Sequence, residues 1–295
     1  MIVSDILDFA RGLLDDEKLP YLWSQAFLLN CYNRSVDDVC RRVKHIRDRS
    51  TASICEIEIL SGVATYSYSP KIVEIINAQL ESQTIPLDRK SEAWLSRYYA
   101  DWKNSTGIPS VIIPEFERDK FRLYPYYEDT YVSEGNLNIT FTAPNTISKP
   151  SGLSIFAEGD DISVSGTVSN NATLTIDTVS DTTITVDETV VTENLTSAVL
   201  RRVEDNINLS VARLPLTWVT LADLTGSPPY DDDYHLDTVQ GILYYAYQKD
   251  GTETYDANLS MAKRVLFEQM ISKLKKDYLG KTYFEQTCGP SRGAI

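Results

Sequence analysis

The sequence predicts an α+β protein: an α-helical body with a helical hairpin near the amino terminus and a helix pair near the carboxyl terminus, a companion β-region, and a small all-β module. Three observations carry that reading. Apolar residues recur at helical spacing through residues 6–43 and again through 236–278. Between them lie several runs that alternate apolar and polar residues with period two. One of these, IFAEGDDISVSGTVSNNATLTIDTVSDTTITVDETVV (Ile155–Val191), contains no Lys, Arg, His, Cys or Trp.

Taken in order, Ser4 caps a first helix with Ile6, Phe9, Ala10, Leu13 and Leu14 at helical spacing, ended by Asp15, Asp16 and Pro20. Ser24 caps a second, whose stripe is Leu28, Leu29, Tyr32, Val36, Val39, Cys40 and Val43. The short polar link makes the two a hairpin. In CEIEILSGVATYSYS, Ile57 and Ile59 alternate with Glu56 and Glu58 on a strand that turns at Gly62. SPKIVEIINAQLE fits neither period, so helix and strand both stay open there. Ser91–Trp102 reads as a short helix carrying Trp94, Tyr98, Tyr99 and Trp102, and PSVIIPEF, KFRLYPYY and NLNITFTAP read as strands.

Pro144–Pro150 reads as a linker into the module. There the pairs Ile162/Val164, Leu174/Ile176 and Ile184/Val186 alternate with Ser, Thr and Asp, and Asn170-Asn171 and Ser180-Asp181 stand where turns are needed. At roughly 45 residues the module is near the lower limit for an independent core. TSAVLRRVEDNINL is a candidate helix, followed by a Pro-rich loop from Leu214 to Tyr230. The last helix pair has stripes Leu236, Val239, Leu243, Ala246 and Ala262, Leu266, Met270, Leu274, Tyr278, with Gly280 as a stop. KDGTETYDAN between them is short enough for an antiparallel return.

Composition limits the function. With 295 residues, 42% hydrophobic and 24% charged, the chain suits one or two globular domains. A net charge of -14 argues against a surface that neutralises nucleic-acid phosphates. No basic leader and no run near the roughly 18 apolar residues of a membrane span is found, so synthesis in the cytosol without membrane contact is expected. Cys31, Cys40, Cys55 and Cys288 match no zinc spacing and read as buried or idle thiols.

Catalytic, cofactor-binding and metal-binding residues are all expected to be absent. Only two histidines occur: His45 reads as a helix-end or solvated residue and His235 as a capping or packing one. Asp231-Asp232-Asp233 lacks the spacing of a calcium loop and fits a helix-dipole role. Glu56 and Glu58 resemble a solvent face more than an acid pair. The 18 tyrosines, clustered in YPYYEDTY and LYYAY, favour protein interfaces.

Several stretches in a fixed order resemble the head-to-tail connector, or adaptor, proteins of tailed phages, especially short-tailed ones. They are LLDD, LWSQAFLLNCYNRSVDDV, ILSGVATYSYSPKIVEI, WLSRYYADWKNSTGIPSVIIPE, RLYPYYED and YHLDTVQGILYYAYQKDGTETYDANLSMAKRVLFEQMISKLK. The resemblance divides the chain into an adaptor body (1–145 and 196–281), an inserted small β-module (146–195) of a kind that recurs in phage structural proteins, and an extended tail (282–295). It implies a non-enzymatic virion protein at the head-tail junction, assembled in the host cytoplasm as a homo-oligomeric ring of about twelve copies closed by rotation. Its partners would be the portal, the tail nozzle and, in some phages, tail fibres, with DNA passing through the channel unbound. The tail residues Tyr283, Phe284, Cys288, Pro290, Arg292 and Ile295 are the expected portal contacts. A tail-fibre, spike or receptor-binding component is the alternative.

Overall fold

The computed structural model describes residues 1–128, 131–133, 139–195, 198–251 and 254–287. In chain order its elements are α1 (Val3–Leu13), α2 (Gln25–Val43), β1 (Arg47–Asp48), α3 (Ala52–Cys55), β2 (Glu56–Leu60), β3 (Thr65–Ser67), β4 (Ile72–Leu80) and β5 (Asp88–Arg89). Then come α4 (Glu92–Tyr98), β6 (Val111–Glu117), β7 (Lys120–Tyr124), β8 (Tyr131–Ser133), β9 (Ile139–Thr142), β10 (Thr146–Ser148), β11 (Asp161–Ser165), β12 (Thr173–Val179) and β13 (Thr183–Val186). The chain continues through β14 (Glu193–Leu195), β15 (Val199–Arg213), α5 (Thr238–Ala246) and α6 (Ala257–Thr287).

The expected helical body is therefore corrected: the protein is organised mainly on β-sheet. Eleven of the strands are linked by ladders in the order β1-β15-β11-β12-β13-β10-β9-β14, with β2, β4 and β8 also on β15, and β3-β7-β6-β5 form a second sheet. One expected helix is a strand, and one segment left open between the two periods resolves to a strand. Within TSAVLRRVEDNINL the residues from Val199 onward are not helix but the start of the fifteen-residue β15, on which Ile207, Leu209 and Val211 are buried at period two. SPKIVEIINAQLE, open between helix and strand, is β4. The Pro144–Pro150 segment is no simple linker either, because β10 within it pairs with both β9 and β13 and buries Ile147 completely.

Two compact units divide the chain, one comprising Met1–Asp48, Lys71–Glu74 and the chain from Val211 onward, the other Arg49–Pro70 and Ile75–Ser210. In the first, α5 packs on α1, α2 and α6 around Ile6, Leu7, Leu28, Tyr32, Ile242 and Leu243. Gly241 allows this approach: a Cβ there would lie 2.7 Å from both the Phe267 ring and Ser35 Oγ. Ser24 caps α2 as expected, accepting from the Phe27 N–H at 3.3 Å, and all seven stripe residues of that helix are buried. Ser4 is not a cap, since α1 starts at Val3 with no side-chain cap. Phe9 and Leu13 are exposed, as are Leu236, Ala262 and Leu266, so the stripe of α6 runs instead through Phe267, Met270, Ile271 and Leu274. Gly280 does not stop α6, which runs on to Thr287.

In the second unit, β9 to β13 and the start of β15 enclose one apolar cluster in which Ile139, Phe141, Ile147, Ile162, Ile184, Val186 and Leu200 are fully buried. All six residues of the alternating pairs point inward. The turns are built as the sequence suggests: Asn171 Oδ1 accepts from the Thr167 N–H at 2.9 Å, and Ser180 Oγ accepts from the Thr183 N–H at 3.0 Å. A separate small cluster of Leu95, Trp102, Val111 and Ile113 lies between α4 and β6.

Candidate interaction surfaces

The residues first weighed for chemistry are held in structural roles. His235 is 2% exposed, with Nε2 2.8 Å from the Tyr230 carbonyl and Nδ1 3.2 Å from the Met1 amine. His45 Nε2 lies 2.7 Å from the Pro229 carbonyl, and burial holds its pKa below the usual imidazole range. Asp231-Asp232-Asp233 leads into a 3₁₀ turn, Asp232–Tyr234, ahead of α5. Glu58 accepts from Thr173 Oγ1 at 2.7 Å on the surface of the second unit. Cys31, Cys40 and Cys55 are buried, and burial pushes the Cys31 and Cys40 thiols up to about 12. Cys288 lies outside the described residues. Among the described residues no cluster of His, Cys, Asp and Glu could hold a metal ion, and no helix is long and apolar enough to cross a membrane.

The ordered motifs of the first unit prove to be scaffold joints. Asp16 of LLDD is buried, pairs with Arg11 at 2.8 Å, and accepts from the backbone N–H groups of Leu22 at 2.8 Å and Trp23 at 3.0 Å. Arg11 also donates to the Trp23 carbonyl at 3.1 Å and to Gln25 Oε1 at 2.9 Å. Trp23 Nε1 in turn donates to the Ala246 carbonyl at the end of α5, at 3.0 Å. Asn33 on α2 grips the Pro-rich loop at Val219, donating to its carbonyl at 2.9 Å and accepting from its N–H at 3.2 Å. Beside that joint, Tyr32, Asp37, Pro215, Trp218 and Pro229 line a small cleft, where burial raises the Asp37 pKa against the pull of Arg41 and Lys71.

The second unit carries a different feature: an unbroken run of aromatic contacts across α4, the following 3₁₀ turn and the second sheet. Tyr98 and Trp94 lie 4.9 Å apart, Trp94 and Tyr99 6.0 Å, Tyr99 and Tyr124 5.3 Å, Tyr124 and Trp102 6.5 Å, and Trp102 and Phe116 6.4 Å. Cations cover several rings, with Lys90 Nζ 5.0 Å from the Trp94 centroid and the Arg122 guanidinium 5.3 Å from that of Trp102. At one end Tyr98 is 60% and Tyr99 45% exposed. The aromatics of α4 were visible in the sequence; their continuation to Tyr124 and Phe116 was not, because it depends on how the second sheet packs.

Of the expected tail contacts, Tyr283 and Phe284 fall on the backbone of α6, and Cys288, Pro290, Arg292 and Ile295 lie outside the described residues.

These scaffold joints fall on the ordered motifs that first suggested a tailed-phage connector, and a family model described as SU10 adaptor protein matches residues 1–284. The chain belongs to the SU10 adaptor family. It is thus a phage structural protein of the adaptor type, located in the virion and associating with other phage head or tail proteins. No curated protein matches the chain. For an adaptor, exposed aromatics are features of contact surfaces.

Proposed function

We propose that the protein forms a closed ring, of about twelve copies, between the portal and the tail of a short-tailed phage. The family match over residues 1–284 is the observation that carries this reading. The ring encloses part of the DNA path, and the net charge of -14 supports that role, since like charge on the wall keeps DNA from adhering during packaging and ejection. The protein acts without catalysis or cofactor, as a joint whose work is done by its contact surfaces. The segment from Thr282 onward, including Tyr283, Phe284 and Arg292, reaches the portal, while the module of residues 146–195 serves contacts with neighbours, nozzle or fibres.

Electron microscopy of the purified protein mixed with its portal tests the reading. A coaxial ring on the portal is the expected image. Binding as isolated copies at the tail periphery would instead mark a fibre or spike component.

A further inference from the structure

The helical unit turns two unlike apolar faces outward. On α1, Phe9 and Leu13 are 43% and 44% exposed, and the charges beside them are the exposed carboxylates of Asp5 and Asp8. The one cation of that helix, Arg11, is buried against Asp16. On α6, Leu259, Ala262, Val265 and Leu266 are exposed at helical spacing. Residues 257–278 of that helix hold five Lys and Arg against two acids. Glu268 is taken by Arg42 of α2 at 2.9 Å, and Asp277 accepts from the Tyr234 hydroxyl. Lys273 Nζ lies 5.3 Å from the Tyr234 ring centroid, and Lys263, Lys275 and Lys276 form no ion pair among the described residues. The α1 face is therefore acidic and the α6 face basic.

We propose that the exposed face of α1 on one copy of this chain docks against the exposed face of α6 on the next copy. The proposal rests on the ring reading above and names the contact that would build it. Both helices pack on α5 with their buried sides, so the two outward faces stay open in the single chain. Leu266 lines a groove between α5 and α6 together with Gln240, Met270, Lys273 and Asp237, a shape that receives a ridge of side chains from another helix. Phe9 and Leu13, four residues apart, form such a ridge on α1. Asp5 and Asp8 beside that ridge then meet lysines that lack an acid of their own, which gives the contact its direction as well as its apolar area. Nucleic acid fits the α6 face less well, because Leu259, Val265 and Leu266 offer nothing to phosphates and the net charge of -14 opposes approach. The two faces are unlike, so their contact is heterologous, the type that propagates head to tail and closes into a ring.

Variants of the full-length protein test the pairing, with circular dichroism confirming the fold of each. Phe9→Gln with Leu13→Gln removes the α1 anchors; Val265→Gln with Leu266→Gln removes those of α6, and all four side chains are exposed. Each pair should weaken self-association by about tenfold or more, read by mass photometry alone and on the portal. An equimolar mixture of the two variants should form dimers that grow no further, because each copy then brings one intact face. Asp5→Lys with Asp8→Lys leaves the apolar residues in place and should by itself weaken association about tenfold, as like charges then face each other. Rings that form normally in both apolar variants would overturn the contact and leave the ring reading standing. So would a mixture that stays monomeric, or association untouched by the charge reversal. An α6 variant that associates normally but loses binding to DNA would assign that face to nucleic acid and overturn the contact as well. An unmodified protein that stays monomeric alone and forms no ring on the portal would remove the ring reading and this contact together.

Discussion

In the helical unit a charged pair lies inside the packed region, with the Arg11 and Asp16 side chains 7% and 3% exposed, joined to each other and to the backbone by directional hydrogen bonds and with Arg11 also stacked over the Tyr21 ring at 3.9 Å. Around the β-module, in the cluster of the second unit that runs from Ile139 to Leu200, the interior is apolar, and polar groups are confined to the strand faces and turns. The first arrangement fixes how α1, α2 and α5 meet, because a guanidinium and a carboxylate tolerate few geometries; the second asks only for apolar side chains of suitable volume at alternate positions. The contrast teaches that burial by pattern can be read along the chain, whereas burial by a specific polar network must be found in three dimensions.

Mutations can break that contrast, and the largest effect should come from the ion pair. Asp16→Ala strands the Arg11 guanidinium and should cost about 3–5 kcal/mol in urea unfolding of the helical unit. Adding Arg11→Met should recover much of the loss; if it does not, the pair serves more than its own neutralisation. In the module, Ile184→Ala removes a fully buried side chain and should cost about 2–4 kcal/mol, seen as faster amide exchange confined to β10 to β13. Gly241→Ala places a methyl 2.7 Å from the Phe267 ring and should cost about 1–3 kcal/mol, with a lowered melting temperature as the readout. Ser24→Ala removes the α2 cap and should cost about 1 kcal/mol by the same measure.

A pH scan sharpens the comparison further. Burial depresses the His45 pKa, so its contribution to stability is present above the usual histidine pKa of about 6.5 and is lost as pH falls through the folded-state value. The urea midpoint of the helical unit should therefore drop on acidification through that window, and His45→Gln should flatten the drop. The module contains no histidine and should show no such slope there.

By itself the sequence determined the module's alternating strands and turns, the α2 cap and stripe, the short α4 and the adaptor family, because each is written in local spacing or in the order of motifs. Tertiary structure decided the rest. Val199–Arg213 carries apolar residues that satisfy a helix nearly as well as a strand, and only the neighbouring strands that flank β15 select the extended form. Leu266 and Ala262 fit a helical stripe yet lie on the exposed side of α6, because the close approach at Gly241 sets which face of that helix turns inward. Asp16 reads along the chain only as part of a helix end, and its burial with Arg11 appears once Trp23, Leu22 and Gln25 enclose the pair. The aromatic run likewise joins residues from Trp94 to Tyr124 that no linear spacing connects, since a ring contact depends on distance in space and not on separation along the chain.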